Sequence, residues 1–164
     1  MHLTVRLVCG FATVMSLAQC VSHGQRGASP SAPQTLASAQ VPEPQGGALV
    51  NQFRAQNGRS ALRANAALMR TARLHAQDMG EAGFMGHVGS DGSSLRDRIR
   101  RQGYRGCAYA ENVAKGQNSV NRAIAFWQAS PGHRVNMLNA RYTEYGLTGG
   151  PGNSWVLVMG QPGC

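Results

Sequence analysis

Lysine is almost missing from this chain: Lys115 is the only one in 164 residues. Acidic side chains are scarce as well, with 7 Asp+Glu against 16 Lys+Arg, for a net charge of +9. From Ala48 onward there are 14 basic and 6 acidic side chains, so that part alone carries 14 − 6 = +8. A field of that sign attracts polyanions such as nucleic acid, anionic lipid headgroups and acidic envelope polymers. For any single arginine, solvation of a helix face is the plainer account. No apolar run is long enough to cross a bilayer comfortably; Leu7 to Ala18 falls short. There is no internal repeat and no Gly-x-Ser-x-Gly elbow, which removes the usual setting for a serine nucleophile.

The first twenty residues read as an export signal, with Arg6 ahead of the Leu7–Ala18 apolar run. Leu17-Ala18-Gln19-Cys20 is like a lipoprotein cleavage box, although Gln19 is a poor residue before the cysteine. Cleavage shortly after Cys20 is the competing reading. Residues 21–47 are rich in Ser, Pro, Gln, Ala and Gly and are expected to form a disordered linker. Residues 48–164 remain for one folded domain. Expected localisation is outside the cytoplasm: periplasmic, secreted, or lipid-anchored to the envelope if Cys20 is acylated. Within the domain the cysteines are Cys107 and Cys164, which should pair in an oxidising compartment.

Hydrophobic spacing predicts a helix over Ala48–Asn57 and a second from an Asn65 cap to about Glu81. The stripe Leu68, Ala72, His75, Met79 puts His75 on the buried side, as a hydrogen-bonded core residue. Ser94 with Asp97 opens a third helix, with Leu95 and Ile99 inward and Gly103 as its stop. Arg96, Arg98, Arg100 and Arg101 crowd that helix and are expected to be mostly exposed, as the local anion-binding face. Cys107–Ala114 reads as a strand. Asn118 or Ser119 caps a fourth helix with Val120, Ile124 and Trp127 inward, and His133–Leu138 adds a turn or two. Tyr142–Gly149 and Trp155–Gly160 read as an antiparallel pair of strands, joined by a Gly-rich hairpin loop. The class is α+β.

Three polar residues, each beside a turn signal, are expected to meet in one cleft: His87, Glu111 and His133. Two imidazoles and a carboxylate can hold a divalent cation or act as acid and base. The alternative is structural, with Glu111 accepting hydrogen bonds from both histidines and tying sheet to helices. Asn112 is expected to satisfy buried backbone beside Glu111. Ser130, before Pro131-Gly132, should end one helix or cap the next. Arg134 is expected to pair with a carboxylate such as Glu144, with an anion contact at the cleft as the alternative.

The ordered set His87, Asp91-Gly92, Asp97-Arg98-Ile99, Gly103-Tyr104, Glu111-Asn112-Val113-Ala114, Trp127, Ser130 to Arg134, Glu144-Tyr145-Gly146 and Trp155 to Gly160 resembles a bacterial member of the CAP superfamily. That superfamily takes in cysteine-rich secretory proteins, antigen five and the group one pathogenesis-related proteins. The resemblance implies an α-β-α sandwich around a small antiparallel sheet. It also implies a cleft with two His and two Glu, of which His87, Glu111 and His133 match three. The fourth position falls at about Ser130, where this chain departs from the pattern. On this reading the chain is an exported binding module for a small amphipathic, lipid-like or anionic envelope ligand. A zinc, calcium or magnesium ion in the cleft is the cofactor that the resemblance suggests. The competing reading is a metal-assisted hydrolase of envelope material, with His87 and His133 as ligands and Glu111 as base. Membrane association is expected only through an acylated Cys20, and no nucleic-acid partner is expected.

Overall fold

The computed structural model describes residues 43–163. The expected leader, Cys20 and most of the expected linker lie outside the described residues, as does Cys164. Five helices and four strands follow in chain order: α1 (Glu43–Gln56), β1 (Arg63–Ala64), α2 (Ala66–Glu81), α3 (Leu95–Arg101), β2 (Gly106–Lys115), α4 (Val120–Ala129), α5 (Pro131–Leu138), β3 (Glu144–Gly150) and β4 (Ser154–Pro162). The sheet order is β1-β3-β4-β2. β4 pairs antiparallel with both β2 and β3, whereas β1 runs parallel to β3, so the sheet is mixed. The two-residue β1 has no hydrophobic alternation to announce it, and the purely antiparallel expectation is corrected there.

The sheet separates two cores. One gathers Val50, Phe53, Val120, Ile124, Trp127, Met137, Leu147 and Leu157 under α1, α4 and α5. The other gathers Leu68, Ala72, Met79, Ile99, Val113, Val156 and Val158 under α2 and α3. Alternation along β2 and β4 sends successive side chains into opposite layers, and the result is an α-β-α sandwich. The helix starts follow local chemistry. Asn65 accepts hydrogen bonds from the amides of Ala67 and Leu68. Ser94 and Asp97 form a reciprocal capping box, and Ser119 accepts from Arg122 N.

Helix α1 starts at Glu43, five residues ahead of the expected Ala48, inside the stretch read as linker. Gly46 and Gly47 are poor helix formers. Here a Cβ on either would collide with Leu147 or Tyr145 of β3, so they let the helix lie against the sheet. Close packing overrides propensity at this point. Gly146 does the same beneath α2, where a Cβ would strike the backbone of Leu68.

Two arginines are buried against the expectation that arginine stays on the surface. Arg54 is 1% exposed and donates to the carbonyls of Ser60 (2.8 Å) and Met137 (2.7 Å), tying α1 to the end of α5. The other is Arg98, described below. Arg134 does not pair with Glu144. Its guanidinium donates to Asn57 Oδ1 at 2.8 Å and lies over the Phe53 ring, while Glu144 takes Arg63 (3.0 Å) and Asn65 (3.1 Å).

Candidate functional site

The site grows from β2, the edge strand on the side away from β1. Glu111 and Asn112 are neighbours on it, opposite Val158 and Leu157 of β4, so their side chains leave opposite faces. Glu111 turns towards the α2–α3 layer and is 5% exposed. A lone carboxylate there would cost several kcal/mol of desolvation. It is instead held by Arg98, whose Nη2 donates to Oε1 at 3.0 Å and to Oε2 at 2.8 Å. Nη1 of the same guanidinium donates to the carbonyls of His87 (2.9 Å) and Ser93 (2.8 Å). One side chain therefore fixes both the carboxylate and the loop that carries His87.

His87 completes that cluster. Its Nδ1 lies 3.0 Å from Glu111 Oε1, and its side chain is 59% exposed. The hydrogen bond to Glu111 outweighs partial burial and raises the pKa of His87 above its ordinary value. His75, from α2, lies beneath. Its Nε2 is 2.8 Å from the carbonyl of Gly86 and 3.8 Å from Glu111 Oε1. A carbonyl can only accept, so Nε2 carries a proton. Burial lowers the His75 pKa, against the pull of Glu111. His75 Nδ1 and Arg98 Nε are buried without a hydrogen-bond partner. Both residues border a cavity of about 270 Å³ with Thr71, Asp78, Ser90 and Ser93.

On the other face the chemistry is neutral. Asn112 Nδ2 donates to the carbonyl of His133 at 3.1 Å, and Asn136 Nδ2 donates to Asn112 Oδ1 at 2.9 Å. Asn112 thus binds backbone as expected and seats α5 on the sheet. The His133 ring packs beside Phe126, with centroids 5.7 Å apart. Burial lowers the His133 pKa, and the nearby charge of His87 adds to the effect. His133 Nδ1 has no hydrogen-bond partner. Ser130 closes α4 and opens α5 in an extended conformation, without a side-chain capping bond, and Pro131 takes the first helical position.

Direct contact therefore joins His87 to Glu111, while His133 feels the charge of His87 and reaches β2 through Asn112. The expectation that Glu111 bonds both histidines holds for His87 only; the place given to His133 is taken by Arg98. Sequence reasoning missed Arg98 as a site residue and left His75 as plain core. The signal for Arg98 was there: with Leu95 and Ile99 it makes an i, i+3, i+4 set, which places it on the inward face of α3.

The arrangement does not suit the divalent ion that the resemblance suggested. Both carboxylate oxygens of Glu111 are engaged by a cation already in place, and a second positive charge beside the guanidinium would be repelled. Among the described residues no three His, Cys, Asp or Glu side chains form a metal-holding group. Cys107 Sγ lies 2.9 Å from the carbonyl oxygen of Gly163, so the chain end sits beside the start of β2. No helix among the described residues is long and apolar enough to cross a membrane.

Comparison with known proteins agrees with this architecture. The chain is 31% identical over 99 residues to the uncharacterized protein YkwD of Bacillus subtilis, covering 60% of this chain and 38% of that one. It therefore spans well under half the length of that curated relative. The fold superposes on an extracellular protein containing an SCP domain from Bacillus anthracis with a TM-score of 0.69, at 24% identity, over 73% of this chain and 40% of that one. An outer surface protein of Borrelia burgdorferi matches with a TM-score of 0.64, at 19% identity, over 76% of this chain and 98% of that one. Residues 48–157 match the model of the cysteine-rich secretory protein family, CAP, and the chain belongs to that family.

Proposed function

We propose that the chain is an exported binding module which takes a small amphipathic or anionic envelope ligand at the His87–Glu111–His133 edge of the sheet. One observation carries this reading: the Glu111 carboxylate is committed to Arg98 and His87. A carboxylate so held is a poor general base and a poor metal ligand, but a rigid anchor for the residues around it. The exposed surface near the two histidines suits a ligand with an apolar part. Met85 and Val88, either side of His87 in the chain, are 56% and 60% exposed, and Phe126 against His133 is 41% exposed. His87 offers a ring biased towards its charged form and His133 one biased towards its neutral form. Export rests on the sequence of the leader and on the extracellular and outer-surface descriptions of the two structural neighbours.

The test is mass spectrometry of what co-purifies from the envelope, with metal analysis on the same sample. The expected result is a stoichiometric small molecule whose occupancy falls in His87→Ala and His133→Ala. A stoichiometric divalent ion, together with hydrolysis of envelope material abolished by Glu111→Gln, would overturn the reading in favour of a hydrolase.

A further inference from the structure

A second surface is unused by that reading. Between α3 and the start of β2 lies a groove of about 580 Å³ bordered by Arg96, Arg100 and Arg105. Tyr104 lies beneath it, and Gly103 and Gly106 leave the wall as bare backbone. All three arginines are exposed. Among the described residues no carboxylate borders the groove. The domain's six acidic groups are occupied elsewhere: Asp91 by Arg101, Glu111 by Arg98, Glu144 by Arg63, Asp97 by Ser94, Asp78 by Ser90 and Glu81 by Gln77. Asp97 still acts on Arg101 and Arg100 through space.

The ordinary explanation for such arginines is the helix dipole, which favours cations in the last turn. It accounts for Arg100. It fails for Arg96, which stands in the first turn of α3 where the dipole opposes it, and for Arg105, which lies outside the helix. Three arginines from two segments thus border one concavity, and none of them forms an ion pair among the described residues. Guanidinium forks pair with phosphate through two parallel hydrogen bonds, and three of them outnumber a single phosphate.

We infer that this groove binds a soluble polymer whose repeating anion is phosphate, separately from the His87 edge. A free polymer is favoured over a bilayer face because none of the exposed large apolar residues, Leu74, Met85, Val88, Phe126 and Val135, borders the groove. A lipid surface would gain from such residues inserting, in addition to the attraction of its headgroups.

The experiment measures binding of fluorescein-labelled inorganic polyphosphate by anisotropy across a salt series. Arg96→Ala/Arg100→Ala/Arg105→Ala is compared with Arg59→Ala/Arg73→Ala/Arg122→Ala, which removes the same charge from other exposed positions. The groove variant is expected to lose about tenfold or more in affinity and about two units of slope in log K against log salt, with the other variant losing under about threefold. Equal losses in the two variants would mean net charge alone and overturn the site. Equal affinity for polyglutamate of matched length would overturn phosphate as the anion, and tighter binding to phosphatidylglycerol vesicles would overturn the polymer as its source. Arg96→Lys/Arg100→Lys/Arg105→Lys, expected to bind more weakly than wild type but to keep the salt slope, guards against misfolding of Arg96→Ala/Arg100→Ala/Arg105→Ala.

Discussion

The two faces of β2 hold neighbouring residues in place by opposite means. On one, Glu111 is gripped by charge, through Arg98 and His87. On the other, Asn112 is gripped by neutral amide bonds to the His133 carbonyl and Asn136. A buried ion pair is only as good as its completeness, since removing one partner strands the other charge away from water. A neutral amide stranded in the same way costs less. The ionic face should therefore be rigid and unforgiving, and the amide face tolerant.

Arg98→Ala is the harshest way to break this contrast. It should cost about 3–5 kcal/mol of unfolding free energy, against about 1–3 kcal/mol for Asn112→Ala, both read by denaturant titration. Equal losses would erase the distinction. Arg98→Met combined with Glu111→Leu should recover most of the loss, because no lone charge is then left buried.

A smaller effect tests the proposed pairing of Cys107 with Cys164 at the start of the same strand. Reduction should lower the melting temperature by the equivalent of about 2–4 kcal/mol, and an unchanged melt would exclude the pairing.

The gentlest probe is pH. His87 should titrate above its ordinary value of 6.5 and His133 below it, as followed by imidazole NMR. The signs oppose each other. The His87 contribution to stability is complete below pH 6.5 and fades as pH rises through its raised pKa. The His133 contribution is complete above pH 6.5 and fades as pH falls through its lowered pKa. Coincident titrations would show that the two rings do not sit in the environments described.

Much of this was legible in the sequence because caps and periodicity are local. Asn65, Ser94 with Asp97, and Ser119 announce their helices wherever those helices end up. The alternation of β2 likewise places Glu111 and Asn112 on opposite sides. Arg98 was hidden by a compositional habit. In a row of four arginines the inward one looks like its neighbours until helical spacing is applied to it alone. The early start of α1 was hidden because Gly46 and Gly47 argue against a helix, and only their contact with β3 reverses that argument. The position of Arg134 depended on Asn57, 77 residues away, for which no local pattern exists.

Strand β4 is paired along both of its borders and covered on both sides, whereas β2 has a neighbour on one border only. Topology and the proposed recognition are thus entrusted to different strands. The short helix carrying His133, seated by neutral amide bonds, can exchange residues without shifting the register of the central strands. One scaffold of this kind can be re-dressed for new ligands while its architecture stays constant.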